Sequence, residues 1–410
     1  MPKTEDYLNN NKVSGYIGFD PTSDSLHIGS LVQIMTLVHF QRHGHKPYVL
    51  LGGATGMVGD PSGKSKERNL LDTKELDKNI NSIKKQLSRF LKFDSSENKA
   101  VIVNNKDWFE NFNFLDFIRD VGKHITVNYM MSKDSVKKRL ETGISFTEFT
   151  YQLVQGYDFY WLYKNHNCLV QLGGSDQWGN IVTGTELIRR MDGGSAYAIT
   201  TPLVQKADGT KFGKTESGNI WLDPVKTSPY KFYQYWINST DIDAENYIKI
   251  FTLHDKNKIE DLIAQHKENP GLRLLQSELG KYITSMIHGE EQYLMAKEAS
   301  SILFMKGDEA VSALKSLSTD LFLDIFEGVP KTEISKEEIF NGIPIIDALV
   351  EKSGFLKSNG EARRAINENS ISLNKSKVKL DTIINTKDLI DGKYLLLQRG
   401  KKNYFVILVA

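Results

Sequence analysis

The chain has 410 residues, of which 40% are hydrophobic and 25% charged, a balance that fits two or three folded domains rather than one small core. No apolar run approaches a membrane span, and the polar, acidic opening MPKTEDYLNN has the pattern of neither a secretory signal nor a transit peptide. Net charge is +1, and one cysteine, Cys168, excludes an internal disulfide and a four-cysteine zinc site, so the expected location is cytoplasmic, with no membrane partner.

In chain order, Val13 to Phe19 reads as a buried strand. Leu31, Ile34, Met35 and Val38 follow at helical spacing, and Gly44 can end that helix. Tyr48 to Leu51 and Cys168 to Leu172 supply further strands of an α/β sheet. Residues near 104 to 150 interrupt the alternation like an insertion. From about 226 the text turns helical, through SPYKFYQYWIN, ENYIKIFTLH and LLQSELGKYITSMIHG. Residues 326 to 343 are polar, carry a proline and two glycines, and predict a linker. The remaining segment, 344 to 410, holds 12 Lys and Arg against 7 Asp and Glu, while the first 343 residues hold 40 against 44. A basic tail on a slightly acidic body suggests an anionic partner, although a solvated lysine-rich surface has the same composition.

Three segments suit phosphate. GFDPTSDSLHIGS, 18 to 30, follows a strand and opens a helix, where backbone N–H groups and the helix dipole favour an anion. Gly29 leaves room there for a flat base, and Thr22 and His27 can donate to phosphate oxygens. The competing reading is a glycine-rich turn with Ser25 as helix N-cap. GGATGMVGDPSGKSKER, 52 to 68, fails the P-loop pattern because Val58 stands where glycine is required, and ADGTKFGKT, 207 to 215, fails it at Asp208. Both loops set lysines among glycines, which suits a flexible clamp on phosphates; two solvated turns would look alike. His39, His43 and His45 cluster without a Cys or Glu to complete a tetrahedral set, so no metal site is assigned and exposed histidines near a helix end are expected.

These motifs resemble a class I aminoacyl-tRNA synthetase, specifically the bacterial tyrosyl family. HIGS, 27 to 30, looks like the HIGH signature and KFGKT, 211 to 215, like the KMSKS loop. The likeness runs through FDPTSDSLHIG, GGATGMVGDPSGK, GISFTEFTYQLVQGYD, LGGSDQWGN and TKFGKTESG, so it covers nearly the whole chain. The tail, through SNGEARRAI and ISLN, resembles the RNA-binding domain shared with ribosomal protein S-four.

The resemblance implies a Rossmann-type parallel-sheet catalytic domain over 1 to 225, with a dimerisation insertion at about 104 to 150 and homodimer contacts around Phe146. It implies a helical anticodon-side domain over 226 to 325 and, after the linker, a small α+β RNA-binding domain over 344 to 410. The substrates are L-tyrosine, ATP with Mg²⁺ and tRNA. Tyr16 and Asp158 match the pair that contacts the substrate phenol, a role one hydroxyl and one carboxylate can fill chemically. Asp60, Tyr151 and Gln155 match the group around the α-amino end, with Gln177 on the tyrosine side. Gly174 and Asp176 match ribose contacts, Gly29 and Leu203 flank the adenine, and Ser30 belongs to the ATP set. Thr22, His27, Lys64, Arg68, Lys211 and Lys214 match the phosphate-binding, catalytic set. Arg363, Arg364, Arg399, Lys401 and Lys402 are the RNA-contact candidates. Residue by residue, a structural pair explains Tyr16 and Asp158 equally well, and a helix N-cap explains Asp176.

Two departures stand out. Ser30 replaces the second histidine of HIGH, and Ile17 is apolar where some relatives are polar. The family usually carries a helical segment before the position of Met1. The rival readings are a tryptophanyl enzyme, a small-metabolite nucleotidyltransferase and an RNA-binding factor on a retired synthetase body. Amino-acid-dependent ATP–pyrophosphate exchange separates them.

Overall fold

The computed structural model describes residues 4–62, 71–94, 96–140, 143–215, 218–302, 305, 307–400 and 403–410. Contacts divide the chain into two units, Met1–Lys226 with Thr240–Ile263, and Thr227–Ser239 with Ala264–Ala410.

In the first unit five strands form one parallel sheet in the order β3-β2-β1-β4-β5: β1 Ser14–Phe19, β2 Lys46–Leu51, β3 Val101–Asn104, β4 Cys168–Gly174 and β5 Tyr197–Thr201. Parallel strands need crossovers that cover both faces, which is why β2 and β4 are almost wholly buried. Chain order reverses between β1 and β4, so the two crossovers that start there leave in opposite directions and open a crevice at the strands' carboxyl ends.

Three helices frame that crevice. Ile28–Arg42 follows β1 and buries Leu31, Ile34, Met35 and Val38 as the sequence spacing predicts; Gly44 follows it at φ +87°, a conformation that suits glycine. Phe146–His166 carries Tyr151, Gln155 and Asp158 on one face, and Trp178–Asp192 packs along it. The insertion is helical, with Phe114–Asp120, Val127–Met131 and Asp134–Leu140 preceding Ser145, whose side chain caps Phe146–His166 by accepting from Glu148 N–H.

The second unit corrects the expected linker. Lys331–Ile334 is a strand paired in parallel with the terminal strand Asn403–Val409, and Lys336–Asn341 is a helix closed by a Ser335–Glu338 capping box. This strand is the outermost of its sheet and buries only Ile334 fully, so its residues read as polar and linker-like. Tyr230, Tyr233 and Phe322 from the helices share a buried cluster with Tyr394, Leu396 and Val406 from that sheet. The helical and C-terminal segments therefore share one core.

The histidine cluster also differs from expectation. His45 is buried, its ring stacked on Phe40 at 4.5 Å and its Nδ1 accepting from Val13 N–H. Burial, with Lys12 nearby, holds its pKa below the usual histidine value. No described helix is long and apolar enough to cross a membrane.

Candidate active site

The crevice between β1 and β4 is a cleft of about 330 Å³, within the range of roughly 300–1,000 Å³ typical of ligand sites. Its walls include Tyr16, Asp60, Tyr151, Gln155, Asp158 and Gln177, the whole set assigned to the amino acid by resemblance. Thr22, His27, Gly29, Ser30, Gly174, Asp176 and Leu203 line it too. Residues from four distant stretches of sequence thus meet at one place.

At the floor, Asp158 is fully buried and accepts two side-chain N–H bonds, from Trp108 Nε1 at 2.9 Å and Asn105 Nδ2 at 3.1 Å. Burial pushes its carboxyl well above the ordinary range, and these two donors pull the other way by favouring the anion. Tyr16, 1% exposed, has a hydroxyl with no partner, and burial followed by the neighbouring Asp158 keeps that phenol protonated to well above its usual pKa. Leaving such a group unpaired costs about 1–3 kcal/mol, so an unpartnered hydroxyl beside a buried carboxyl signals a place kept for a ligand. The Oε1 atoms of Gln155, Gln171 and Gln33, all cleft-lining, are likewise buried without partners.

Above the floor the site is acidic. Asp60 accepts from Gln177 Nε2 at 2.7 Å and from Ser62 N–H at 2.9 Å. Asp20 accepts from Tyr151 Oη and Thr55 Oγ1, each at 2.7 Å. Burial, then the charge of Asp60, raises the Asp176 pKa, and no side-chain cap bond starts the helix Trp178–Asp192, so the N-cap explanation of Asp176 fails. Carboxylates held by neutral donors present an environment suited to an ammonium group.

The HIGS turn forms the other end. His27, not Ser25, caps the helix Ile28–Arg42: its Nδ1 accepts from Gly29 N–H at 3.0 Å. With Nδ1 an acceptor, a neutral imidazole carries its proton on Nε2, the tautomer needed to donate to a phosphate. A Cβ at Gly29 would sit 2.7 Å from His27 Cε1, so any side chain there would push the capping ring aside. Ser25 instead is buried between elements, donating to Leu26 O and accepting from Gln86 and Asp223 N–H.

Lys211 and Lys214 do not line the cleft; both are exposed on the KFGKT loop, whose Phe212 is buried against Phe251 and Tyr247. Lys64 and Arg68 lie outside the described residues, as do Lys401 and Lys402. In the second unit Arg363 and Arg364 are exposed on the helix Asn359–Asn367, whereas Arg399 pairs with Glu361 at 2.7 Å. Sequence reasoning missed Asp20, Gln33, Thr55, Asn105 and Trp108. Asp20 stood inside a motif already singled out; Asn105 and Trp108 carried no local signal.

A family model described as tRNA synthetases class I (W and Y) matches residues 8–305, and one described as the tyrosine–tRNA ligase SYY-like C-terminal domain matches residues 322–407. The tyrosine–tRNA ligase of Flavobacterium psychrophilum is 61% identical over 99% of this chain and 95% of its own length. That of Bacteroides fragilis is 59% identical over 100% of this chain and 96% of its own. The chain belongs to the bacterial tyrosine–tRNA ligases. Among solved structures, a C-terminally truncated mitochondrial tyrosyl-tRNA synthetase from Aspergillus nidulans matches 72% of this chain and 86% of its own with a TM-score of 0.64 and 30% identity. Membership in this family of class I aminoacyl-tRNA synthetases agrees with a parallel sheet whose ligand crevice lies at the β1/β4 reversal.

Proposed function

We propose that this cleft joins L-tyrosine to ATP and passes the tyrosyl group to the 3′ end of its tRNA, the tyrosine–tRNA ligase reaction. The observation that carries the reading is the floor: an unpartnered Tyr16 hydroxyl beside buried Asp158 can satisfy both the donor and the acceptor capacity of a phenol. Indole offers one N–H donor and no acceptor, so tryptophan would leave the Tyr16 hydroxyl without a lone pair to bond to.

Asp60, Tyr151 and Gln155, with Gln177 holding Asp60, form the ammonium end. The tyrosine carboxylate, already ionised at neutral pH, attacks the α-phosphorus of ATP, and the bond from that phosphorus to the α,β-bridging oxygen breaks, releasing pyrophosphate. No general base is needed. Gly29 and Leu203 flank the adenine, with Ser30, Gly174 and Asp176 at the ribose. Thr22 and His27 Nε2–H donate to phosphate oxygens, and Lys64, Arg68, Lys211 and Lys214 are their cationic partners. The tRNA terminal hydroxyl then attacks the adenylate carbonyl carbon, displacing AMP. Mg²⁺ would enter on the phosphate oxygens of ATP.

Arg363, Arg364, Arg399, Lys401 and Lys402 are the candidate RNA-contacting residues. Charging of tRNA by the Arg363→Ala/Arg364→Ala double variant is expected to fall about tenfold or more and to regain little as salt is lowered, with ATP–pyrophosphate exchange unchanged. Equal charging by variant and parent removes the role. Point changes are preferable to deleting 344–410, because Tyr394, Leu396 and Val406 complete the core of the preceding helices.

The working state is a cytoplasmic homodimer. Phe114, Leu115, Val127 and Phe146 are 62%, 71%, 59% and 68% exposed, an apolar concentration on the insertion that a second copy would cover. Phe146→Asp is expected to shift the protein to monomer in sedimentation velocity; an unchanged dimer overturns this contact.

A further inference from the structure

The segment that follows the KFGKT loop is laced to the HIGS turn by its backbone. Ile28 N–H donates to Ile220 O at 3.0 Å, Leu222 N–H to Leu26 O at 2.8 Å, and Asp223 N–H to Ser25 Oγ at 3.2 Å. His27 and Trp221 pair as an antiparallel bridge, and their rings meet edge to face, centroids 6.0 Å apart at 73°. On the indole, Lys226 Nζ lies 4.9 Å from the ring centroid, and the same ammonium is ion-paired with Asp24 of the HIGS turn. Trp221 and His27 line a common cavity with Thr22, Ser30 and Gln33.

An N-cap imidazole can swing about the hydrogen bond to its Nδ1, and each swing moves Nε2 away from any phosphate it serves. The Trp221 ring packed edge to face restrains that motion here, and the Lys226 ammonium, itself paired with Asp24, lies over the indole. We propose that Trp221 is a positioning residue for His27, fixing the imidazole so that Nε2–H donates along one direction into the phosphate end of the cleft. The Lys226–Asp24 pair serves as its brace. The inference rests on the tyrosine-activating reading above and adds that the segment following the KFGKT loop is part of the HIGS site.

The test compares tyrosine-dependent ATP–pyrophosphate exchange, and separately tyrosine affinity by equilibrium dialysis, in W221L, W221F, H27N and the W221L/H27N double variant. W221L is expected to slow exchange about tenfold with tyrosine affinity unchanged, since a misplaced reacting contact costs rate rather than remote binding. W221F keeps an aromatic edge and recovers most of that loss. In the H27N background W221L adds less than about twofold, because the group it positions is gone. Full activity in W221L, additive losses in the double variant, or a parallel loss of tyrosine affinity each overturns the proposal. If W221L does not fold, K226M takes its place. It is expected to lose about threefold in exchange and nothing further with H27N, and a loss that persists in that background overturns the proposal. Absence of tyrosine-dependent exchange in the unmodified protein would instead remove the functional reading.

Discussion

His27→Asn is expected to slow tyrosyl-adenylate formation about a hundredfold while leaving tyrosine affinity unchanged, the scale on which one preorganised donor to developing charge acts. Asparagine is the informative replacement because His27 does two things. Its Nδ1 caps the helix Ile28–Arg42, and asparagine is itself a good N-cap, so the helix keeps its first bond. What the shorter side chain loses is the reach of Nε2. His27→Ala removes both, and should add a loss of about 1 kcal/mol in stability to the same kinetic defect. Stopped-flow adenylate formation and thermal unfolding separate the two effects. Exchange at the parental rate in His27→Asn would show that the imidazole serves the helix and not the phosphate.

Tyr16→Phe is expected to weaken tyrosine activation about tenfold, leave phenylalanine activation where it was, and make the ligand-free protein more stable by up to about 1–3 kcal/mol. The sign of the stability change follows from the structure. The hydroxyl is buried and unpartnered, so the folded protein loses a desolvation cost when it is removed. A residue that works only for the fold would do the reverse. Asp158→Asn should do more harm, at least about a hundredfold in tyrosine activation, because Trp108 and Asn105 both donate to the carboxylate and an amide nitrogen must then face one of them. The pH dependence follows from the raised carboxyl pKa. Protonation of Asp158 removes an acceptor, so tyrosine affinity is present above that pKa and is lost as pH falls through it. The loss should begin above the usual aspartate value of about 3.9, and Asp158→Asn should abolish the dependence.

Much of this arrangement was legible in the chain because the chemistry is local. The strand–turn–helix of GFDPTSDSLHIGS was read as such from its sequence, and Tyr151, Gln155 and Asp158, named through the family resemblance, stand on one helix. What was not legible depends on long-range pairing. Asn105 and Trp108 reach Asp158 across about fifty residues, and nothing in NNKDWF marks them as its donors. The strand Lys331–Ile334 read as linker because its pairing partner is the last strand of the chain. His45 read as exposed because its packing on Phe40 requires a turn that periodicity does not reveal. Ser25 looked like the cap because serine usually is one, whereas His27 sits directly before the helix and takes the bond.

The most direct measurement is ATP–pyrophosphate exchange by the purified full chain with tyrosine, tryptophan, phenylalanine or no amino acid. The account predicts exchange with tyrosine, and next to none with the other three, because only a phenol satisfies both Tyr16 and Asp158. Exchange driven equally by tryptophan, or proceeding without any amino acid, would contradict it.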